Sequence, residues 1–223
     1  MGLSCGLSVI EGLSRIALVD YESVGLGDFG KPEGFLERQS RRWMKQLESY
    51  DEFAGWPGPD GLPDVHAIGA WLDERRPETF RPGLMHGDFH LKNVLFRQDA
   101  PVLEAVIDWE LSTIADPLLD LAWFCNGIRD DRFPGHVPEK ALYNVGDWPT
   151  RQELMAHYAG GTGRSMASFD YYLVLAMFKG GCILEYKVAQ AAKGILSAET
   201  GRFFDRLVRG NFAEAEKLIR LIG

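Results

Sequence analysis

The sequence predicts a mainly α-helical fold carrying one small β-hairpin, and three observations support it. Residues 35–49, 168–193 and 198–222 read as helices, with apolar side chains at helical spacing in the first and last. Two short apolar runs, 94–96 and 103–107, read as strands around a turn at 97–101, where Asp99 and Pro101 are turn formers. The chain of 223 residues is also long enough to bury one sizeable core, so 1–223 is expected to form a single domain.

From the N-terminus, residues 1–10 are weakly patterned, and their Gly and Ser content suggests a ragged end. Residues 11–20 fit the tail of a helix or a strand. Gly25-Leu26-Gly27-Asp28-Phe29-Gly30 spells a Gly-x-Gly-x-x-Gly string. A phosphate cradle would need a neighbouring strand and a strand-borne Lys or closing acid, and none is legible, so an inter-helix loop is expected. In 35–49, Leu36, Trp43 and Leu47 share one face, with Arg38, Arg41, Arg42 and Lys45 largely elsewhere, as on a solvated helix. Residues 51–63, rich in Pro and Gly, form a loop. Asp64 can N-cap a helix running through Arg76. Leu84 and Met85 form a short strand. Residues 111–115 connect to a helix started by Asp116 and Pro117 and made strongly apolar by Leu118, Leu119, Leu121, Ala122 and Trp123. Thr150-x-x-Glu153 is a capping box for a short helix stopping at Gly160-Gly161.

Composition narrows the function classes. A net charge of −8 argues against a general nucleic-acid surface and an anionic-membrane anchor. Three scattered cysteines, Cys5, Cys125 and Cys182, suggest free thiols in a reducing, cytoplasmic setting. No signal peptide is legible at the N-terminus, and the longest apolar-rich run carries Lys179, too short and too charged for a span.

The chemistry concentrates in 84–96. His86, Asp88, His90 and Asn93 crowd a polar loop that opens onto the first strand, and Asp108 leaves the second. A hairpin brings Asn93 and Asp108 to one end, with Asp88 within a loop's reach. An amide and a carboxylate there make a hard-oxygen site suited to Mg²⁺, with one acid left as a base. Read as His86-x-Asp88-x-His90, the same loop could instead ligate the metal of a hydrolase. That option gives no role to the downstream Asp-Trp-Glu and Asp-Pro run.

The pattern His86-Gly87-Asp88-x-His90-x-x-Asn93, then Ile107-Asp108-Trp109-Glu110, then Asp116-Pro117-x-x-Asp120-Leu121-Ala122 resembles the aminoglycoside phosphotransferase and choline kinase branch of the protein-kinase-like superfamily. The run from Asp108 to Leu121 is similar to the kinase-like domains associated with acyl-CoA dehydrogenases. The resemblance implies the C-terminal lobe of a protein-kinase-like α+β fold, with no N-terminal β lobe legible in the sequence. It implies transfer of the ATP γ-phosphate, or that of another nucleoside triphosphate, to the hydroxyl of a small molecule with Mg²⁺. Asp88 would then be the catalytic base, and His90 would touch the transferring phosphate. His86, Asn93, Asp108 and Glu110 would surround the nucleotide, with Asn93 and Asp108 on the metal, His86 bracing the loop and Glu110 assisting. Asp120 would brace the catalytic loop through hydrogen bonds. The acceptor is tilted towards a hydroxyacyl compound and away from an antibiotic, with specificity set by 129–148 and the helix from Ser168. A homodimer or a partner chain would cover the cleft left open by the missing lobe. The alternative is a non-catalytic kinase-like interaction module or fragment.

Overall fold

The computed structural model describes residues 2–132 and 147–223. In chain order its regular elements are α1 (Gly2–Ala17), α2 (Gln39–Glu48), α3 (Val65–Glu74), β1 (Gly83–Met85), β2 (Val94–Phe96), β3 (Leu103–Val106), β4 (Thr113–Ala115), α4 (Leu118–Cys125), α5 (Arg151–Thr162), α6 (Phe169–Ala192) and α7 (Ala198–Ile222). They gather into two compact units, Met1–Glu33 with Glu78–Phe169, and Gly34–Pro77 with Asp170–Gly223.

The first unit holds both β ladders. β2 and β3 pair antiparallel with Val94 opposite Val106, as the two apolar runs predict. β1 pairs with β4, Leu84 opposite Ile114, in a second two-stranded ladder. That pairing corrects the expectation of a plain connector over 111–115. Three residues are too few to show a period, and β4 is a strand because β1 supplies its hydrogen bonds. Gly30 abuts β4, and a β-carbon there would meet the Ile114 amide, so the end of the Gly-rich string serves packing.

The N-terminus is also corrected. Residues 2–17 are helix, with Val9, Ile10 and Leu13 fully buried. A glycine that suggested a ragged end instead permits close approach: at Gly6 a β-carbon would crowd the Pro149 ring. α1 packs on α5 and reaches β1, β3 and α4. Arg164, almost wholly buried, donates to the Arg81, Pro82 and Ala17 carbonyls and lies 3.6 Å from Asp116. It thus ties the lead-in of β1 to the end of α1 and the start of α4. There Asp116 Oδ1 accepts from the Leu118 amide at 3.0 Å, the start expected of Asp116 and Pro117. The Thr150–Glu153 capping box forms as written, but α5 runs through Gly160 and Gly161 and ends at a left-handed Gly163. At its first turn, buried Arg151 meets Asp130 at 2.6 Å and donates to the Cys125 and Ile128 carbonyls. Burial opposes ionisation of Asp130, but hydrogen bonds from Arg132 and the charge of Arg151 win and hold its carboxyl far below the usual range.

The second unit is built on α6, whose residues 171–182 are all buried, and on α7, whose ends match the sequence reading. Phe178 of α6 meets Phe212 of α7 edge-on at 6.2 Å. A 3-10 turn over Leu36–Arg38 leads into α2, so the 35–49 helix is two elements. Asp64 stands before α3 but adopts a left-handed conformation (φ 45°), and its side chain makes no cap hydrogen bond; the helix ends at Glu74, not Arg76. The acceptor-side reading of 129–148 falls mostly on 133–146, outside the described residues. Cys5, Cys125 and Cys182 are all free thiols. Burial pushes the Cys125 thiol up to about 12, leaving it unreactive. Among the described residues no helix is long and apolar enough to cross a membrane.

Glu185 on α6 is the acid this core tolerates least. It is 1% exposed; Oε1 accepts from the Trp56 indole at 2.6 Å, while Oε2 has no partner. Burial raises its pKa to about 7 from 4.5; the Trp56 bond and Arg209 oppose the rise and Asp205 adds to it. The folded state therefore holds a proton that the unfolded chain releases near pH 4.5. Stability should fall as pH rises from about 4.5 to about 7, by about 3 kcal/mol in all. Urea midpoints at pH 5 and pH 8 check this: Glu185→Gln should flatten the difference, and an unchanged difference would assign it to other groups.

Candidate functional site

The candidate catalytic stretch follows β1 and bends at once. Gly87 sits at φ +86°, where a β-carbon would collide with the Leu111 carbonyl, so only glycine turns the chain here. Asp120, 1% exposed on α4, accepts from the His86 amide at 2.5 Å and the Gly87 amide at 2.9 Å. One buried carboxylate thus satisfies two consecutive backbone donors and offsets its own desolvation.

His86 is fully buried. Its Nε2 donates to the Ile107 carbonyl at 2.8 Å, and its Nδ1 accepts from the Asp88 amide at 3.2 Å. The Trp109 ring lies 5.0 Å from its ring centre. His86 therefore bridges the loop to the end of the hairpin. With both ring nitrogens engaged it offers no metal ligand, which removes the basis of a His-x-Asp-x-His hydrolase centre. Among the described residues no group of three His, Cys, Asp or Glu side chains could hold a metal ion.

Asp88 is about a third exposed. Its Oδ1 accepts from the Trp123 indole at 2.9 Å, and its Oδ2 lies 3.3 Å from His90 Nε2. His90 Nδ1 accepts from the Lys92 amide at 3.2 Å, so in the neutral ring Nε2 carries the proton that faces Asp88. His90 thus sits beside the Asp88 carboxylate. Asn93, 6% exposed, donates from Nδ2 to the Asp88 carbonyl at 3.0 Å, which leaves Oδ1 as its available acceptor. Its own carbonyl accepts from the Ile107 amide at 2.9 Å, so the hairpin brings Asn93 and the segment before Asp108 to one end.

Asp108 adopts a left-handed conformation (φ 68°, ψ 58°) and is exposed, and its side chain has no hydrogen bond or ion pair among the described residues. A left-handed non-glycine residue with an exposed carboxylate is a candidate for a functional position. Glu110 lies in the following 3-10 turn, also exposed. An Asp108 carboxylate and an Asn93 amide oxygen are hard donors, few in number, as Mg²⁺ prefers when phosphates and waters complete its shell. The residues present therefore fit the metal.

Two contributors were missed in the sequence. Trp109, named there only as part of the motif, covers His86, and Trp123, read there as one more apolar helix position, holds Asp88. The available signal was spacing: Trp123 lies three residues after Asp120, on the same face of α4.

Residues 5–154 match the model of the phosphotransferase enzyme family. Acyl-CoA dehydrogenase family member 10 of Mus musculus is 28% identical over 197 residues, which is 85% of this chain and 17% of that protein. A Ralstonia eutropha JMP134 protein assigned as an aminoglycoside phosphotransferase superposes with a TM-score of 0.76 at 26% identity, over 96% of this chain and 65% of its own. Choline kinase of Cryptosporidium parvum Iowa II gives 0.64 at 12% identity, over 99% and 66%. The chain thus spans less than two thirds of the mouse and Ralstonia proteins. The fold is that of the C-terminal lobe of a protein-kinase-like architecture, as the motif implied.

Proposed function

The chain belongs to the phosphotransferase enzyme family, and on that footing we propose that it transfers the γ-phosphate of ATP to the hydroxyl of a small molecule. The observation that carries this reading is the gathering of Asp88, Asn93 and the lead-in to Asp108 at one end of a hairpin, with Asp108 strained and unpaired.

Asp88 accepts or orients the proton of the attacking hydroxyl, while its carboxylate is held by Trp123 and His90. Asp108 and Asn93 would hold Mg²⁺, which supplies charge neutralisation on the phosphates when bound. Glu110 lies two residues from Asp108 and lends further negative charge. His90 can turn its Nε2–H from Asp88 towards the transferring phosphoryl group. His86 keeps the loop on the hairpin. The protein's share of catalysis is positioning and electrostatics, as in other phosphoryl transfers.

By analogy with kinase-like domains associated with acyl-CoA dehydrogenases, the acceptor is tilted towards a hydroxyacyl compound. Free thiols fit a reducing cytoplasm. Around the hairpin end Leu95, Ile107, Trp109 and Leu111 are exposed, an apolar strip suited to cover by a second lobe or a second copy of the chain.

Calorimetric titration with ATP tests the site. Binding should require Mg²⁺ and weaken by roughly tenfold or more in Asp108→Ala, since that carboxylate is a proposed metal ligand. Normal Mg-ATP binding by Asp108→Ala would overturn the assignment.

A further inference from the structure

The catalytic loop is anchored by one short helix acting twice. Asp120 and Trp123 stand three residues apart on α4, and that spacing puts both on one helix face. Asp120 takes the amides of His86 and Gly87, at 2.5 and 2.9 Å. Trp123 reaches the next residue, its indole donating to Asp88 Oδ1 at 2.9 Å. Three consecutive loop residues are therefore pinned from the same side, the first two by backbone and the third by its reacting group.

The donor type matters. An indole N–H donates one hydrogen bond, accepts none and carries no charge. It can fix the rotation of a carboxylate without adding the full positive charge that would make that carboxylate a poorer base. The other tryptophan indoles with assigned partners serve different ends: Trp109 donates to the Val106 carbonyl, Trp43 to Gln39 and Trp56 to buried Glu185. Trp123 is set apart because its partner is the partly exposed carboxylate of the Asp88 side chain. Its grip on Oδ1 leaves Oδ2, beside His90 at 3.3 Å, as the oxygen for the incoming hydroxyl.

We propose that Trp123 is a positioning residue for phosphoryl transfer, setting the plane of the Asp88 carboxylate so that Oδ2 meets the acceptor hydroxyl. The assignment rests on the phosphotransferase reading for its consequence and on the indole–carboxylate contact for its geometry. These two parts are tested separately.

The contact is read by indole ¹⁵N–¹H spectra of the full chain. The Trp123 resonance, identified by its loss in Trp123→Phe, should move upfield and exchange roughly tenfold faster with solvent in Asp88→Ala, which removes the acceptor oxygen. A resonance indifferent to Asp88→Ala would overturn the positioning role, whatever the enzyme does. The consequence is read by turnover with ATP and an acceptor found by screening. Trp123→Phe keeps an aromatic ring on α4 without the donor, and should lower kcat roughly 10- to 100-fold with KM for ATP unchanged. Trp123→His, which restores an N–H, should recover part of the loss. A Trp123→Phe enzyme that turns over like the parent would overturn the proposal. If the parent chain itself shows no turnover while the indole still responds to Asp88→Ala, the phosphotransferase reading fails and the clamp stands.

Discussion

Asp88→Asn should lower turnover roughly 10²- to 10⁴-fold, the usual contribution of a positioned general base. The substitution is chosen because it disturbs little else. An Asn side chain has the same size, and its amide oxygen can still accept from the Trp123 indole at the Oδ1 position. The loop keeps its other ties, since His86 and Gly87 are held through their amides and Asn93 through the Asp88 backbone carbonyl. What is lost is the basic oxygen, and the new NH₂ would face His90 Nε2, donor against donor unless the imidazole changes tautomer. Affinity for Mg-ATP should stay within about twofold, because Asn93 and Asp108 are untouched; a charge at Asp88 is needed for the hydroxyl and not for nucleotide binding. Single-turnover phosphotransfer beside calorimetry separates the two. Turnover within tenfold of the parent would remove Asp88 from the role of base. A large loss of nucleotide affinity would instead make it part of the metal site.

How much of this was legible depends on where each feature gets its partners. The β2–β3 hairpin could be read because its two strands lie close in sequence with turn chemistry between them, and the hairpin then dictates that Asn93 and the residue after Ile107 share an end. The α5 capping box was likewise local, both halves lying within four residues. Features with distant partners were hidden. β4 is a strand only because β1, nearly thirty residues upstream, pairs with it. α1 looked ragged because Gly and Ser lower helix propensity, whereas burial of Val9, Ile10 and Leu13 against other elements decides the outcome. Asp64 had the right residue type and place for a cap, but its backbone turns left-handed and takes the carboxylate away from the first turn. At Trp123 the pattern misled in a different way. An apolar run predicts burial, and burial alone does not say that one indole in it ends on the Asp88 carboxylate. His86 shows the converse: as a motif residue it suggested contact with the nucleotide, and its ring nitrogens are both spent on the chain itself.

Asp120→Ala should destabilise the first unit by roughly 2–6 kcal/mol, because it strands two buried amide donors at about 1–3 kcal/mol each. The His86 amide has no solvent to turn to: residues 83–87 are buried without a break, and Gly87 is locked at φ +86° against Leu111. Asp120→Asn is the sharper probe. Its single amide oxygen can serve one of the two N–H groups, while its NH₂ must point a donor at the other, so the loss should be only partly recovered. The damage should also be local before it is global. Amide exchange at His86 and Gly87 should quicken in both variants at urea concentrations where α6 and α7 remain protected. Turnover should fall as well, because a loop freed from α4 no longer brings Asp88 to the indole of Trp123. Urea unfolding followed by tryptophan fluorescence measures the first effect and hydrogen exchange the second. If Asp120→Ala unfolds within 0.5 kcal/mol of the parent, as an ordinary surface substitution does, the carboxylate is not what holds the loop. The Gly87 turn and the His86 bridge to Ile107 would then have to be sufficient on their own.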